Sequence, residues 1–293
     1  MLKIPVLGTG LSGLIGSKFV SDFSEKYLCT NLDLSHSENP VDITDFKQVL
    51  KSFEESPAEV VLHFAAFTDV TRAWEQKDDQ SGLAYKVNVI GTENIAKAAA
   101  QTQKHLIHVS TAYVFNGEKT EPYTEFDTIE PIEWYGQTKA WAEEEVQNSE
   151  CNWTILRIDQ PFRSDAFSRP DVAHKIISGL KSGSLYPQFT NHFFGPTFID
   201  DFVKVVDWVI RTRPTGVYHA SSGEKWSDYD FAIALQQALH LPGSVEKGDI
   251  YEYLKTLKRP YQKNTSLDCA KLKSEIDFEM HTIKTSLQTL REI

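Results

Sequence analysis

Residues 7–20, LGTGLSGLIGSKFV, follow directly on the apolar run KIPVLG and lead straight into a helical pattern. A strand, a glycine-studded turn and a helix in that order open a βαβ unit, which commits the chain to a parallel sheet with crossover helices. Glycines stand at 8, 10, 13 and 16. Such a turn needs unusual dihedrals, and a diphosphate must approach its backbone with no Cβ in the way. The amides that open the following helix then face the phosphates. In this position the loop reads as a nucleotide site. Two other signatures are excluded: Gly16-Ser17-Lys18 has the wrong order for GK[ST], and Gly10-Leu11-Ser12-Gly13 is not GxSxG.

Downstream, short apolar runs alternate with helical patterns. Strands are predicted at 3–8, 27–33, 59–65, 105–110 and 153–158, rich in Val, Ile and Leu with little polar alternation. Helices are predicted at 13–24, 44–55, around 80–102 and at 134–148. This order implies an α/β fold with a doubly wound, Rossmann-like parallel sheet. The second half is less regular: a loop-rich stretch to Asp171, a helix near 172–182, a short strand feeding a helix over 196–210, and a strand at 216–222. Another helix near 227–240 has Ser227 as its N-cap and Asp230 as the capping-box-like partner. The expected division is a dinucleotide-binding domain over 1–157, re-entered near 196–222, and a smaller α+β substrate-binding domain from 158–195 and 223–293.

A formal charge of −11 over 293 residues argues against a nucleic-acid partner, which calls for a basic face. It leaves room for a nucleotide cofactor held by backbone amides. Cys29, Cys151 and Cys269 lie far apart, so neither a zinc site nor a disulfide framework is expected. No apolar stretch reaches membrane-spanning length and no leader pattern is present, so the cytoplasm is the expected location. The sequons at Asn152 and Asn264 read as incidental.

Asp33 ends the second strand, where a carboxylate accepts from an adenosine ribose and repels a 2′-phosphate; no arginine follows to receive one. NAD(H) is therefore expected over NADP(H). Asp42-Ile43 suits the adenine flank and, equally, an ordinary helix entry. Tyr135 and Lys139 stand one helical turn apart, and a cation there lowers a phenol's pKa from near 10. With eleven tyrosines such a spacing also arises by chance, and Tyr251/Lys255 repeats it. Context separates the pairs: Thr111, 24 residues before Tyr135, closes the fourth strand, at the rim where open α/β sheets bind ligands. Ser227 has the same offset from Tyr251 but starts a helix outside the nucleotide domain. Trp74, Trp134 and Trp141 read as packing, and His63, His105 and His108 as core or edge positions. Glu143, Glu144 and Glu145 read as a solvated face. Arg259 is left open between a substrate diphosphate and an ordinary ion pair.

Taken together, Thr9-Gly10-x-x-Gly13-x-x-Gly16, His63-Phe64-Ala65-Ala66, Asn88, Ser110-Thr111 and Tyr135-x-x-x-Lys139 resemble the extended short-chain dehydrogenase/reductase family over nearly the whole chain. HFAAFTDVTRAWE, STAYVFNG, EPYTEFD, GPTFIDDF, GVYHASSGE and RPYQ…SLDCAKL are similar to its dTDP-4-dehydrorhamnose reductase subfamily. The resemblance implies NAD(P)-dependent reduction of a nucleotide-linked 4-keto sugar. Tyr135 would be the general acid, Lys139 would lower its pKa and bind the nicotinamide ribose, and Thr111 would hydrogen-bond the same carbonyl oxygen. Gly10, Ser12, Gly13, Leu14 and Ile15 would wrap the diphosphate, with Asp33, Asp42, Ile43, Ala65 and Ala66 along the adenosine half. Expected partners are the nucleotide sugar and, as an allowed assembly, a second copy in a homodimer. Three departures stand out: Ala112 replaces an acid, Gln160 stands where an LRxxW run ends in tryptophan, and the segment from Arg259-Pro260 to Leu267-Asp268 is longer by about two residues. They keep open a sugar-nucleotide epimerase and a non-catalytic subunit like the regulatory one of methionine adenosyltransferase. A dehydratase is disfavoured, because Ala112 and Tyr113 replace its acid pair.

Overall fold

The computed structural model describes residues 2–35, 38 and 40–290. The chain divides into two compact units. One takes the chain up to Val114, Glu133–Leu156 and Val206–Val217; the other takes Phe115–Ile132, Arg157–Val205 and the chain from Tyr218 onward.

The frame of the first is a sheet built on β1 (Ile4–Thr9), β2 (Tyr27–Asn31), β3 (Val60–His63), β4 (His105–Thr111) and β5 (Trp153–Ile158). With the strand Gly216–His219 these form six strands in the order Gly216–His219, β5, β4, β3, β1, β2. β1 runs parallel to β2 and β3, and β3 parallel to β4. The chain leaves β1 for β2 on one side and returns to lay β3 on the other. The topological switch point therefore falls between β1 and β3. All four residues of β3 are buried, as unalternating apolar runs predict for a sheet covered on both faces.

Around the sheet run α1 (Gly16–Asp22), α2 (Phe46–Glu55), α3 (Val70–Trp74), α4 (Leu83–Tyr85), α5 (Gly91–Gln101) and α6 (Trp134–Asn148). Two helices differ from expectation. The first begins at Gly16, not 13, because Gly13 N bonds back to Gly10 O at 3.1 Å and keeps the preceding residues in a turn. The long helix near 80–102 carries a π-helical turn, Lys86–Ile90, between α4 and α5. Leu7, Phe53, Val61, Ile95, Leu106 and Ile155 fill the core with no exposed surface.

The second unit is built on α7 (Val172–Ser182) and α9 (Asp228–Ala238); α8 (Ile199–Thr212) has residues in both units. Asp171 caps α7, and Gly183 ends it in the left-handed region at φ 66°. Ser227 caps α9 as predicted: its Oγ accepts from Asp230 N at 3.0 Å and donates to Asp230 Oδ2 at 2.6 Å. The core gathers Phe162, Ile177, Phe194, Phe231, Leu235 and Ile283. The segment Asn264–Asp268 lies along residues 119–123. Tyr123 N donates to Ser266 O at 2.8 Å, Asp268 N to Tyr123 O at 2.7 Å, and Asn264 Nδ2 to Lys119 O at 2.8 Å. Among the described residues, no helix is long and apolar enough to cross a membrane.

Candidate active site

At the switch point Gly10 has φ 73°, and a Cβ built on it would lie 2.4 Å from Ala65 N. Only glycine lets the turns after β1 and β3 approach this closely. Asp33, just past β2, closes the other side. Its carboxylate accepts from Gly10 N, and from Ser12 N at 2.8 Å. The sequence led us to expect a ribose partner; the observed partners are the loop's own amides. A carboxylate has about four acceptor sites, so capacity for ribose hydroxyls remains. Ser12 is held from below by Asn31, whose Nδ2 donates to its Oγ at 2.9 Å. Leu14 and Ile15 complete the turn, and Ile15, at the helix N-cap, brings no side-chain cap.

Asp42 takes the helix-entry role: it accepts from Thr44 N at 2.9 Å and Thr44 Oγ1 at 2.7 Å. Ile43 is 8% exposed and packs in the core beneath Gly91. Ala65 and Ala66 follow β3, with Ala65 N 3.4 Å from Thr9 Oγ1.

Thr111 ends β4, and its Oγ1 accepts from Tyr113 N at 3.2 Å. The Tyr113 ring meets Tyr135 edge-on, with centroids 5.9 Å apart at 70°. Tyr135 is the second residue of α6 and is 9% exposed. One turn on, Lys139 is buried, and its Nζ donates to Val109 O at 2.8 Å and lies 3.1 Å from His108 Nε2. Burial pushes the ammonium down to about 8, with Glu143 pulling the other way. The group therefore stays charged at neutral pH.

The competing pair settles differently: Tyr251 is 53% exposed, and Lys255 pairs with Glu252 at the surface, 2.6 Å away. Trp134 and Trp141 pack edge-on against each other, centroids 5.5 Å apart. Glu143, expected on a solvated face, is buried beside Lys139. Gln160 and Arg259 belong to the second unit. Gln160 sits at φ 37°, and Arg259 lies over the Tyr261 ring, 5.0 Å from its centroid, with Nη1 donating to Pro260 O.

Three further residues shape the site. Glu133, 2% exposed, caps α6: its oxygens accept from Tyr135 N at 2.8 Å and Gly136 N at 2.6 Å. Asn88 sits in the π-helical turn, accepts from Phe67 N at 2.7 Å, and donates to Phe67 O at 3.2 Å and Thr138 Oγ1 at 2.9 Å. It thus stitches the turn after β3 to α6. The third is His108, under Lys139. Glutamate is not a favoured N-cap, so Glu133 left little sequence signal.

The family described as RmlD substrate binding domain matches residues 4–292. The chain is similar to dTDP-4-dehydrorhamnose reductase of Aggregatibacter actinomycetemcomitans, 27% identical over 98% of both chains. It is also similar to methionine adenosyltransferase 2 subunit beta of Xenopus laevis, 29% identical over 90% of this chain and 80% of that one. The solved structure of dTDP-4-dehydrorhamnose reductase from Bacillus anthracis in complex with NADP superposes with a TM-score of 0.88 at 25% identity, covering 98% of each chain.

Proposed function

Because the chain belongs to the RmlD substrate binding domain family, we propose that it is an NAD(P)-dependent reductase of a nucleotide-linked 4-keto sugar. The observation that carries this reading is the Lys139 ammonium. It is buried, tethered to β4, and one turn from a tyrosine that lies against the turn after Thr111. Nothing about packing alone asks for a buried cation beside a phenol.

The residues suit a dinucleotide. Gly10 leaves bare backbone where a Cβ would collide with Ala65 N, and Ser12 and Asp33 line the same turn. When bound, the cofactor supplies the hydride. The chain's own groups do the rest. Tyr135 gives its proton to the carbonyl oxygen, Lys139 favours the phenolate left behind, and Thr111 Oγ1 orients that oxygen; such positioning and acid catalysis are worth several orders of magnitude. The relative from Bacillus anthracis was solved with NADP. In this chain Asp33 places a carboxylate against the loop amides, which favours NAD(H) by repelling a 2′-phosphate.

Titration with NADH and NADPH, followed by a panel of nucleotide 4-keto sugars, tests the reading. Consumption of reduced cofactor is expected, with NADH bound more tightly. Tyr135→Phe should lower turnover by about two orders of magnitude or more, with cofactor affinity unchanged within a few-fold. Near-normal turnover in that variant would remove the acid from the mechanism. A second reading, a regulatory subunit that binds the dinucleotide without turning it over, is favoured by Ala112 and by the likeness to methionine adenosyltransferase 2 subunit beta. Cofactor binding with no reduction of any sugar in the panel would select it.

A further inference from the structure

The Lys139 ammonium has only donors, so the nitrogen facing it at 3.1 Å, His108 Nε2, is the bare acceptor of a neutral ring. The ring proton is then on Nδ1, which is buried with no hydrogen-bond partner among the described residues. An unpaired buried N–H is unfavourable, and the opposite tautomer would aim an N–H at the ammonium. The ring lies against a second imidazole, that of His63, with centroids 5.2 Å apart. His63 is itself fixed by Thr9 Oγ1 at 2.7 Å and Thr92 Oγ1 at 2.9 Å. Burial, and then the Lys139 charge, hold both imidazoles well below 6.5. The titratable groups around Lys139 are thus His108 from β4, His63 from β3, and Glu143 and Tyr135 from its own helix.

We propose that His108 is a positioning residue for the reaction: its bare Nε2 holds the Lys139 ammonium charged and fixed one turn from Tyr135. This rests on the reading of Lys139 as the group that tunes Tyr135. Taking the acceptor away makes the buried charge harder to keep, so Lys139 would lose its proton at lower pH.

The titration can be read without turnover. Unfolding free energy is measured by urea from pH 6 to 10.5 in the protein without added cofactor, alongside a Lys139→Met reference. The difference should rise with pH between the native value, about 8, and the unfolded value near 10.4, because the unfolded chain holds more protons there. His108→Phe, which keeps the ring but has no acceptor, should move the onset of that rise down by about one pH unit, a tenfold change in proton affinity. His108→Gln, whose amide oxygen can accept, should restore it. An onset that stays put in the Phe variant, or moves equally in the Gln variant, overturns the proposal. The basic limb of kcat should follow the same pattern. If the stability onset shifts while that limb does not, the His108 contact stands and the functional reading of Lys139 fails. Should His108→Phe not fold, a long-range 1H–15N spectrum of the unaltered protein at pH 7 decides: a protonated Nδ1 with a bare Nε2 is expected, and the reverse sinks it.

Discussion

A Cβ on Gly136 would lie 2.1 Å from the carbonyl oxygen of Tyr113 and 2.9 Å from Glu133 Oε1. The glycine after Tyr135 therefore sets how close α6 comes to the turn that follows Thr111. Gly136→Ala must push the helix off that turn or deform it, an overpacking that costs about 1–3 kcal/mol. Calorimetry should register that loss. Turnover should fall more steeply than stability, since the phenol moves with the helix; unchanged kinetics in a destabilised variant would show that the close approach serves packing alone. Glu133 acts at the same point. Its carboxylate ties the second and third amides of α6 and so fixes the entry angle of the segment that carries Tyr135 and Lys139. Neither the close approach at Gly136 nor the contact of His108 with Lys139 was legible beforehand. The glycine's neighbour is backbone from another segment, and His108 meets Lys139 across a separation of 31 residues.

Among elements, β3, β4 and β5 were readable because strands covered on both faces are mostly apolar, whereas β2, at the sheet edge, is buried only at Tyr27. The caps at Ser227 and Asp171 follow local rules, and Ser227 was predicted. The π-helical turn was not predicted. It holds Asn88, which satisfies the backbone of Phe67 and the hydroxyl of Thr138 at once. The widened turn sets an amide between two elements that periodicity treats as unrelated; such turns recur at functional sites. Asn88→Leu removes all three bonds and leaves Phe67 N without its side-chain acceptor, which should cost about 1–3 kcal/mol for that group alone. Hydrogen exchange should quicken first at Phe67, whose amide loses its acceptor. Exchange that quickens evenly across the unit would show that Asn88 fills space without joining the two elements.

For the molecule as a whole, acid is the predictable weakness. His63 and His219 are pushed down to about 3 and His105 to about 4, with burial the first cause in each; His108 lies well below 6.5 for the same reason. Below pH 6.5 the unfolded chain takes up protons that the folded one refuses, so stability falls as pH drops from about 6.5 towards 4. Asp159 works the other way, since burial raises it to about 7 and the folded state binds the extra proton. Four groups against one leaves a net loss of roughly 1.4 kcal/mol per net proton for each pH unit. Urea unfolding at pH 7.5, 6.5, 5.5 and 4.5 should show it, and a flat profile would mean these imidazoles are solvated. The α/β class was plain from the alternation of strands and helices. The weaving of the second unit from three separate stretches was not, because its strands are only two residues long and give no periodic signal.

That weaving bears on how the polypeptide is made. Residues 119–123 leave the ribosome well before the backbone they pair with, around Ser266 and Asp268. Until that later segment is made, the earlier ribbon's amides and carbonyls lack those partners. That pairing therefore closes only after residue 268 has been made. A message truncated shortly before codon 264 would leave the backbone groups of residues 119–123 without these partners, an open and aggregation-prone edge.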